Sequence, residues 1–342
     1  MHEPAPGRSE GGSQRSRQAE GRPVSVATIA SQLAPAANRE LEHLIGEPVL
    51  DVAPGVPAAL PGAVSALFAL PLTMRGVPLD APEPRGWPFE LRWIQLASVG
   101  IDAYPRWFLD RVPVSTARGT SAEPIAEYVL AVLFDAAKRL DALWLAEAGD
   151  WPAATQRPRL PMLAGSTLGL VGFGAIGQAL ALRALALGMN VLALRRSATP
   201  LEVAGVERVS DVAQLLARCD HVVLAAPATP ATRHLIDRRA LAAARPGLHL
   251  VNIARGSLVD DDALLEALAD GRVARATLDV TDPEPLPARH PYYGHPRVRL
   301  SPHISPSSAR GYQALLARFA DNLARWRAGE ALVDLLDLRR GY

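Results

Sequence analysis

Cysteine is nearly absent. Cys219 stands alone among 342 residues, so no internal disulfide can form, and no CxxC or cysteine–histidine cluster suggests a structural metal. A reducing, cytoplasmic compartment is therefore expected, with Cys219 as a small apolar residue near a helix end. Long apolar runs are lacking too. The most apolar region, Thr167 to Leu194, is interrupted by Arg183 and several glycines, which excludes a membrane span and points to a soluble chain. Charge of one sign is also missing: the formal net charge of +1 arises from interspersed Arg, Asp and Glu without a basic face, so no nucleic-acid partner is expected. The opening MHEPAPGRSEGGSQRSRQAEGR holds almost no large apolar side chain and cannot offset the entropy of ordering. Residues 1–23 are expected to form a disordered tail. The following VSVATIASQLAPAA imitates a signal peptide, but Ser, Thr and Gln punctuate its apolar part, which suits a first strand and helix better.

What is present is an alternation. VSVATIA, AVSALFAL and LRWIQLASVG read as buried strands separated by helix-like segments, the pattern of α/β layers around parallel sheets. Near Thr120 the character changes to a long helical pattern, Ser121 to Gly149, with Glu123 and Pro124 in its first turn. It reads as a hinge between domains. A proline-rich linker follows, then TLGLVGF, NVLALR, HVVLAAP, HLVNIAR, RATLDV and RVRLSP as strands, with helical patterns at 175 to 187, 211 to 218, 237 to 245 and 260 to 270. This is the signature of a doubly wound sheet. A last helix from about Ser307 to Ala328 is expected to return the chain to the first domain. Domain boundaries are thus expected at 24–118 with 302–342 for a substrate domain, and 119–301 for a dinucleotide-binding domain.

Gly172, Gly174 and Gly177 form GxGxxG, with Ala175 and Ile176 inside it, directly after one apolar strand and directly before a helix. Gly172 permits a tight turn, Gly174 lets backbone approach a pyrophosphate, and Gly177 allows close helix–strand packing, while the first helical N–H groups face the phosphates. At the end of the next strand, an NAD-binding protein usually carries Asp or Glu for the ribose hydroxyl. Here Arg195, Arg196 and Ser197 stand there instead. Two guanidinium groups and a hydroxyl can bind a 2′-phosphate, so NADP(H) is expected over NAD(H), with NAD(H) still possible. A merely solvated basic strand end is the alternative.

Three more strand ends carry polar groups: VNIARGSLVD with Arg255, LDVTDPEPLP with Asp279 and Glu284, and VRLSPHIS with His303. Singly, each has a bland explanation as a surface cation, a loop carboxylate or a satisfied histidine. Together they make chemical sense. Hydride transfer to a 2-oxo acid needs a cation for carboxylate and carbonyl, which the planar fork of Arg supplies. It also needs an acid for the new alkoxide, which His supplies, with a carboxylate beside it to orient the ring and favour the imidazolium.

With GFGAIG, NIARGSLVD, LDVTDPEPLP and SPHIS in this order, the chain resembles the D-isomer-specific 2-hydroxyacid dehydrogenase family, whose members include glyoxylate/hydroxypyruvate reductases. The likeness runs from about Val24 to the C-terminus. It implies two doubly wound parallel-sheet α/β domains, a Rossmann nucleotide domain and a flavodoxin-like substrate domain, with a cleft between them. It also implies that Arg255 binds and polarises substrate, that His303 is the general acid/base, and that Glu284 holds His303 protonated. Val99 and Gly100 would offer backbone N–H groups to the substrate carboxylate. Asp279 would lie near the nicotinamide carboxamide, Ala226 and Pro227 near the adenine side, and Ile253 and Ala254 along the nicotinamide. The long helix after Thr120 resembles a dimerisation element, so a homodimer is implied. Rival readings are a dehydrogenase for another small anion such as formate or phosphite, a nucleotide-sensing corepressor or scaffold on the same fold, and a methyltransferase, which Arg195 disfavours. Residues Leu70 to Gly76 are expected to help shape the pocket, with core packing the better assignment for Met74.

Overall fold

Short, wholly apolar segments pair side by side into two parallel sheets. The computed structural model of the chain describes residues 28–57, 60–61, 63–73, 76–139, 143–151 and 159–341; the expected tail, Met74 and the linker residues 152–158 lie outside the described residues. The first sheet is built from β1 (Thr28–Ser31), β2 (Val49–Asp51), β3 (Val64–Ala69), β4 (Trp93–Leu96) and β5 (Val114–Ser115), in the order β2-β1-β3-β4-β5. Helix α1 (Pro35–Ile45) crosses from β1 to β2, and the short α2 (Arg106–Leu109) precedes β5. Such strands are buried on both faces, which is why β3 and β4 read as continuous apolar runs.

The second sheet has seven strands: β6 (Thr167–Val171), β7 (Asn190–Leu194), β8 (Val206–Val209), β9 (His221–Leu224), β10 (Leu248–Asn252), β11 (Val273–Leu278) and β12 (Val298–Leu300). Their order is β12-β11-β10-β9-β6-β7-β8, all parallel. The direction of winding reverses between β6 and β9, which opens a crevice at their carboxyl ends. Connecting helices are α4 (Ala175–Ala186), α5 (Val212–Arg218), α6 (Arg238–Ala242) and α7 (Asp261–Ala269). One face packs against α5, α6 and α7; the other packs against α4 and against α3 (Ala122–Lys138), whose Ile125, Ala126, Val129 and Leu133 are buried. The fold is thus two doubly wound α/β domains.

The final helix, α8 (Ala309–Ala328), lies on the first sheet. Ser308 caps its start by accepting the Gly311 N–H, and Gly329, at φ 70°, ends it in the left-handed region. Its Phe319 stacks on Phe68 with ring centroids 4.7 Å apart and on Trp93 at 5.2 Å, while Asn322 donates to Gln95 Oε1.

Two expectations need correction. The helical pattern running to Gly149 stops at Lys138, where Arg139 takes a left-handed conformation and its N–H closes on Asp135 O. Beyond it Trp144 and Leu145 continue the apolar pattern but are exposed, and a helix without a buried face loses most of its stabilisation. Strands β2, β5 and β8, absent from the expected set, are edge or near-edge strands of two to four residues whose polar positions break the apolar signal.

Candidate active site

The glycine turn after β6 divides its labour among three positions. Gly172 sits at φ 98°, and a Cβ there would lie 2.7 Å from Ala225 O at the end of β9. A Cβ on Gly177 would lie 2.7 Å from Gly172 O, so both glycines are demanded by close approach of backbone. Gly174 differs: nothing lies within 4 Å of its Cβ position, and it caps α4 without any side-chain hydrogen bond. The amides at Ala175 and Ile176 thus begin a helix at an open face, the arrangement a pyrophosphate fits. Cys219 packs beneath β6, where a Cβ on Gly169 would come within 2.7 Å of its Sγ, and burial pushes its thiol up to about 12. It is a core residue.

At the end of β7 the two arginines do not stand alone. Arg195 Nη1 donates to Glu202 Oε1 at 2.8 Å and Oε2 at 2.9 Å, and this guanidinium holds the Glu202 carboxyl below its ordinary value. Gln178, in the first turn of α4, also donates to Glu202. Arg208 on β8 donates to the carbonyls of Arg195, Ser197 and Thr199, gathering the loop around one side chain. Ser197 and Arg196 are exposed on this loop. Glu202 and Arg208 were not singled out from sequence, although an acid seven residues after Arg195 is a local signal for such a pair.

Across the turn, Ala226 N lies 2.8 Å from the Cβ position of Gly172, and Pro227 accepts from Thr232. The next strand end belongs to Asn252, whose side chain accepts from Ala254 N and donates to Arg255 O, bending the chain so that Arg255 leaves the sheet. Ile253 and Ala254 are 5% and 9% exposed, so their side chains face the core. Arg255 Nε and Nη2 donate to the two carboxylate oxygens of Asp102 at 2.8 and 3.1 Å, and Nη1 donates to Ala254 O. Asp102 follows β4, so this ion pair joins the two domains. A Cβ on Gly100 would lie 1.9 Å from Arg255 Nη2, which puts the Val99–Gly100 backbone directly against the guanidinium. Among the described residues neither amide of this dipeptide donates a hydrogen bond.

Gly256 is required by close approach of backbone rather than by a left-handed turn. Its φ is not positive; instead a Cβ would lie 2.0 Å from the Thr281 carbonyl carbon. The Arg255 turn is therefore pressed onto the loop carrying Glu284. That loop meets the segment after β12, where His303 Nδ1 and Glu284 Oε1 are 2.7 Å apart. His303 takes φ 52°, an uncommon conformation for a side chain of its size, and its N–H donates to Asp279 O. Asp279 pins the same segment. Its carboxylate accepts from Ser301 Oγ, Ile304 N and Ser305 N. Burial alone would raise its pKa, but these hydrogen bonds outweigh burial and hold it below the ordinary value. Ser301 in turn meets Tyr128 of α3 at 2.5 Å.

Arg255, Gly100, Glu284 and His303 therefore share one rim of the crevice, while Asp102, Asn252 and Ser301 are supporting residues that sequence reasoning missed. Known proteins resemble the chain over most of its length. Residues 130–305 match the family model described as D-isomer specific 2-hydroxyacid dehydrogenase, NAD binding domain. Glyoxylate/hydroxypyruvate reductase A of Serratia proteamaculans is 34% identical over 246 residues, 70% of this chain and 76% of that protein. D-3-phosphoglycerate dehydrogenase of Methanocaldococcus jannaschii is 33% identical over 261 residues, and the match spans 48% of that protein. Among solved structures, a D-isomer specific 2-hydroxyacid dehydrogenase from Xanthobacter autotrophicus Py2 in complex with NADPH and MES superposes with a TM-score of 0.76 at 27% identity, covering 92% of this chain and 99% of that one.

Proposed function

Because the chain belongs to the D-isomer specific 2-hydroxyacid dehydrogenase family, and is thus an NAD(P)-dependent oxidoreductase, we propose that it reduces a small 2-oxo acid of the glyoxylate or hydroxypyruvate kind to the D-2-hydroxy acid, with NADPH preferred. The observation that carries this reading is the Glu284–His303 pair, on the loop against which the Arg255 turn is pressed at Gly256. When bound, the coenzyme supplies the hydride. Arg255 anchors the substrate through a specific edge. With Nε and one Nη2 proton given to Asp102 and one Nη1 proton to Ala254 O, one N–H on each terminal nitrogen remains. That end-on pair is the fork a carboxylate or carbonyl oxygen can meet, and the amides of Val99 and Gly100 complete the anchor. His303 then delivers a proton from Nε2 to the substrate oxygen. Glu284, accepting from Nδ1–H, fixes tautomer and ring, and Asp279 fixes the backbone that bears the ring. Ile253 and Ala254 meet the nicotinamide side through backbone, and Ala226 with Pro227 borders the adenine side.

The glycine turn, with Gly172, Gly174 and Gly177, holds the pyrophosphate, and Arg195, Arg196 and Ser197 receive the 2′-phosphate. Glu202 opposes them, since it competes for the Arg195 fork. Replacing Glu202 with Gln should lower the KM for NADPH several-fold while changing that for NADH little. An unchanged ratio of the two would remove Glu202 from coenzyme choice. The function itself is tested by following coenzyme oxidation with glyoxylate, hydroxypyruvate, pyruvate and a bulky aryl-pyruvate. The small acids are expected to turn over fastest with NADPH; no turnover with any of them sinks the substrate assignment, and equal rates with NADH sink the coenzyme preference.

A homodimer formed along α3 and the segment after it is part of the same reading. It is supported by the exposure of Phe134, Trp144, Leu145, Trp151, Leu160 and Met162. No helix among the described residues is long and apolar enough to cross a membrane. A cytoplasmic location is the assignment that suits a chain with one buried thiol.

A further inference from the structure

The carboxyl ends of the second sheet hold the site described above; the amino ends of β9 to β12 hold another concavity. There the last turn of α3 and Pro161–Met162 close a groove of about 430 Å³, lined by Arg139, Arg275, Arg297, Arg299, His221 and His249. Its one carboxylate, Asp220, is already neutralised: it pairs with Arg245 at 2.7 Å and accepts from Thr167 N. The arginines are held in place by their edges while their charge stays available. Arg297 Nη1 donates to Leu268 O, and Arg299 Nη1 donates to Pro296 O and Val298 O. Among the described residues no carboxylate pairs with Arg139, Arg297 or Arg299.

Arg275 gives one terminal nitrogen to Asp135, but its Nε is buried without a hydrogen-bond partner, on a side chain only 18% exposed. Deeper still, His249 is 4% exposed, with Nε2 at 2.9 Å from Thr277 Oγ1 and Nδ1 at 3.3 Å from His221 Nδ1. These two histidines face each other because His249 and His221 are paired in the register of β10 and β9. A parallel sheet ordinarily fills such positions with apolar side chains. None of these groups serves the catalytic rim or the glycine turn.

We infer that this groove binds a small multivalent oxyanion, free phosphate or sulfate or a phosphorylated metabolite of similar size. The groove is metabolite-sized, too small to seat a nucleic-acid duplex, and planar guanidinium forks match tetrahedral oxyanions better than halide. The test uses the intact protein saturated with NADPH, so that the coenzyme's phosphate positions are filled. Inorganic phosphate, sulfate and a phosphate monoester are each titrated by calorimetry at ionic strength held constant with chloride. Saturable binding of one equivalent is expected, weakened at least tenfold in the Arg297→Ala/Arg299→Ala variant, whose replaced side chains are exposed and leave the core intact. Tighter binding of the monoester than of inorganic phosphate assigns the site to a metabolite; the reverse assigns it to the free ion. Absence of binding, equal affinity in the double variant, or a double variant that changes only the oligomeric state in size-exclusion chromatography would each overturn the inference.

Discussion

Replacing His303 with alanine should lower kcat by about 10²–10⁴ while NADPH affinity stays within about a factor of two of the parent protein, because a positioned general acid supplies an effect of that order. The fold around the position should survive. The backbone of this segment is held by the N–H of His303 on Asp279 O and by the Asp279 carboxylate on Ile304 N and Ser305 N, none of which needs the imidazole. The glycine turn proposed for the coenzyme lies at the end of β6, four strands from β12, which His303 follows. Fluorescence titration with NADPH and single-turnover kinetics with glyoxylate separate the two effects. Reduction at near-parental rate in the variant would disqualify His303 as the acid.

If Arg255 anchors the substrate as proposed, its replacement with alanine removes two charge-assisted hydrogen bonds of roughly 1.5–3 kcal/mol each, and kcat/KM should fall by about two to four decades. Arg255→Lys should recover little. An ammonium is a point charge and cannot hold Asp102 along one edge while presenting a second edge to a carboxylate. Gly100→Ala offers an independent check with the guanidinium retained, because the added methyl would sit 1.9 Å from Nη2 and must displace it. It should lower kcat/KM in the same direction. If Arg255→Ala and Gly100→Ala both leave kcat/KM for glyoxylate unchanged, the substrate anchor lies elsewhere.

Much of the fold was legible because buried parallel strands write their burial directly into sequence. β6 and β9 are apolar after their first residue, and β10 is buried at every position although His249 and Asn252 interrupt its apolar run. The edge strands were not legible, since an edge needs little apolar surface: β8 is Val-Glu-Arg-Val, which reads as loop. The overrun of α3 to Gly149 has the opposite origin. A helical period is local, whereas the surface that stabilises it is not, and Trp144 is 75% exposed.

At the site, strand ends and the glycine turn could be found by position along the chain, because residue type and location in a doubly wound sheet go together. Pairings across the sequence could not. Asp102 meets Arg255 over 153 residues, and nothing in SVGID announces which cation its carboxylate will face. Gly256 shows a subtler limit: a sharp turn and a close backbone approach both demand glycine, and only the position of Thr281 tells them apart.

The return of α8 to the first sheet means that the chain passes between the domains twice. The two passages touch, since a Cβ on Gly311 near the start of α8 would lie 3.2 Å from Pro124 in the first turn of α3. Bodies joined along one line keep a single soft degree of freedom, rotation about that line. The Asp102–Arg255 pair spans the gap and must part whenever the domains swing open. Its side chains are 45% and 28% exposed, within reach of solvent ions. The hold of one domain on the other through this pair should therefore weaken as ionic strength rises.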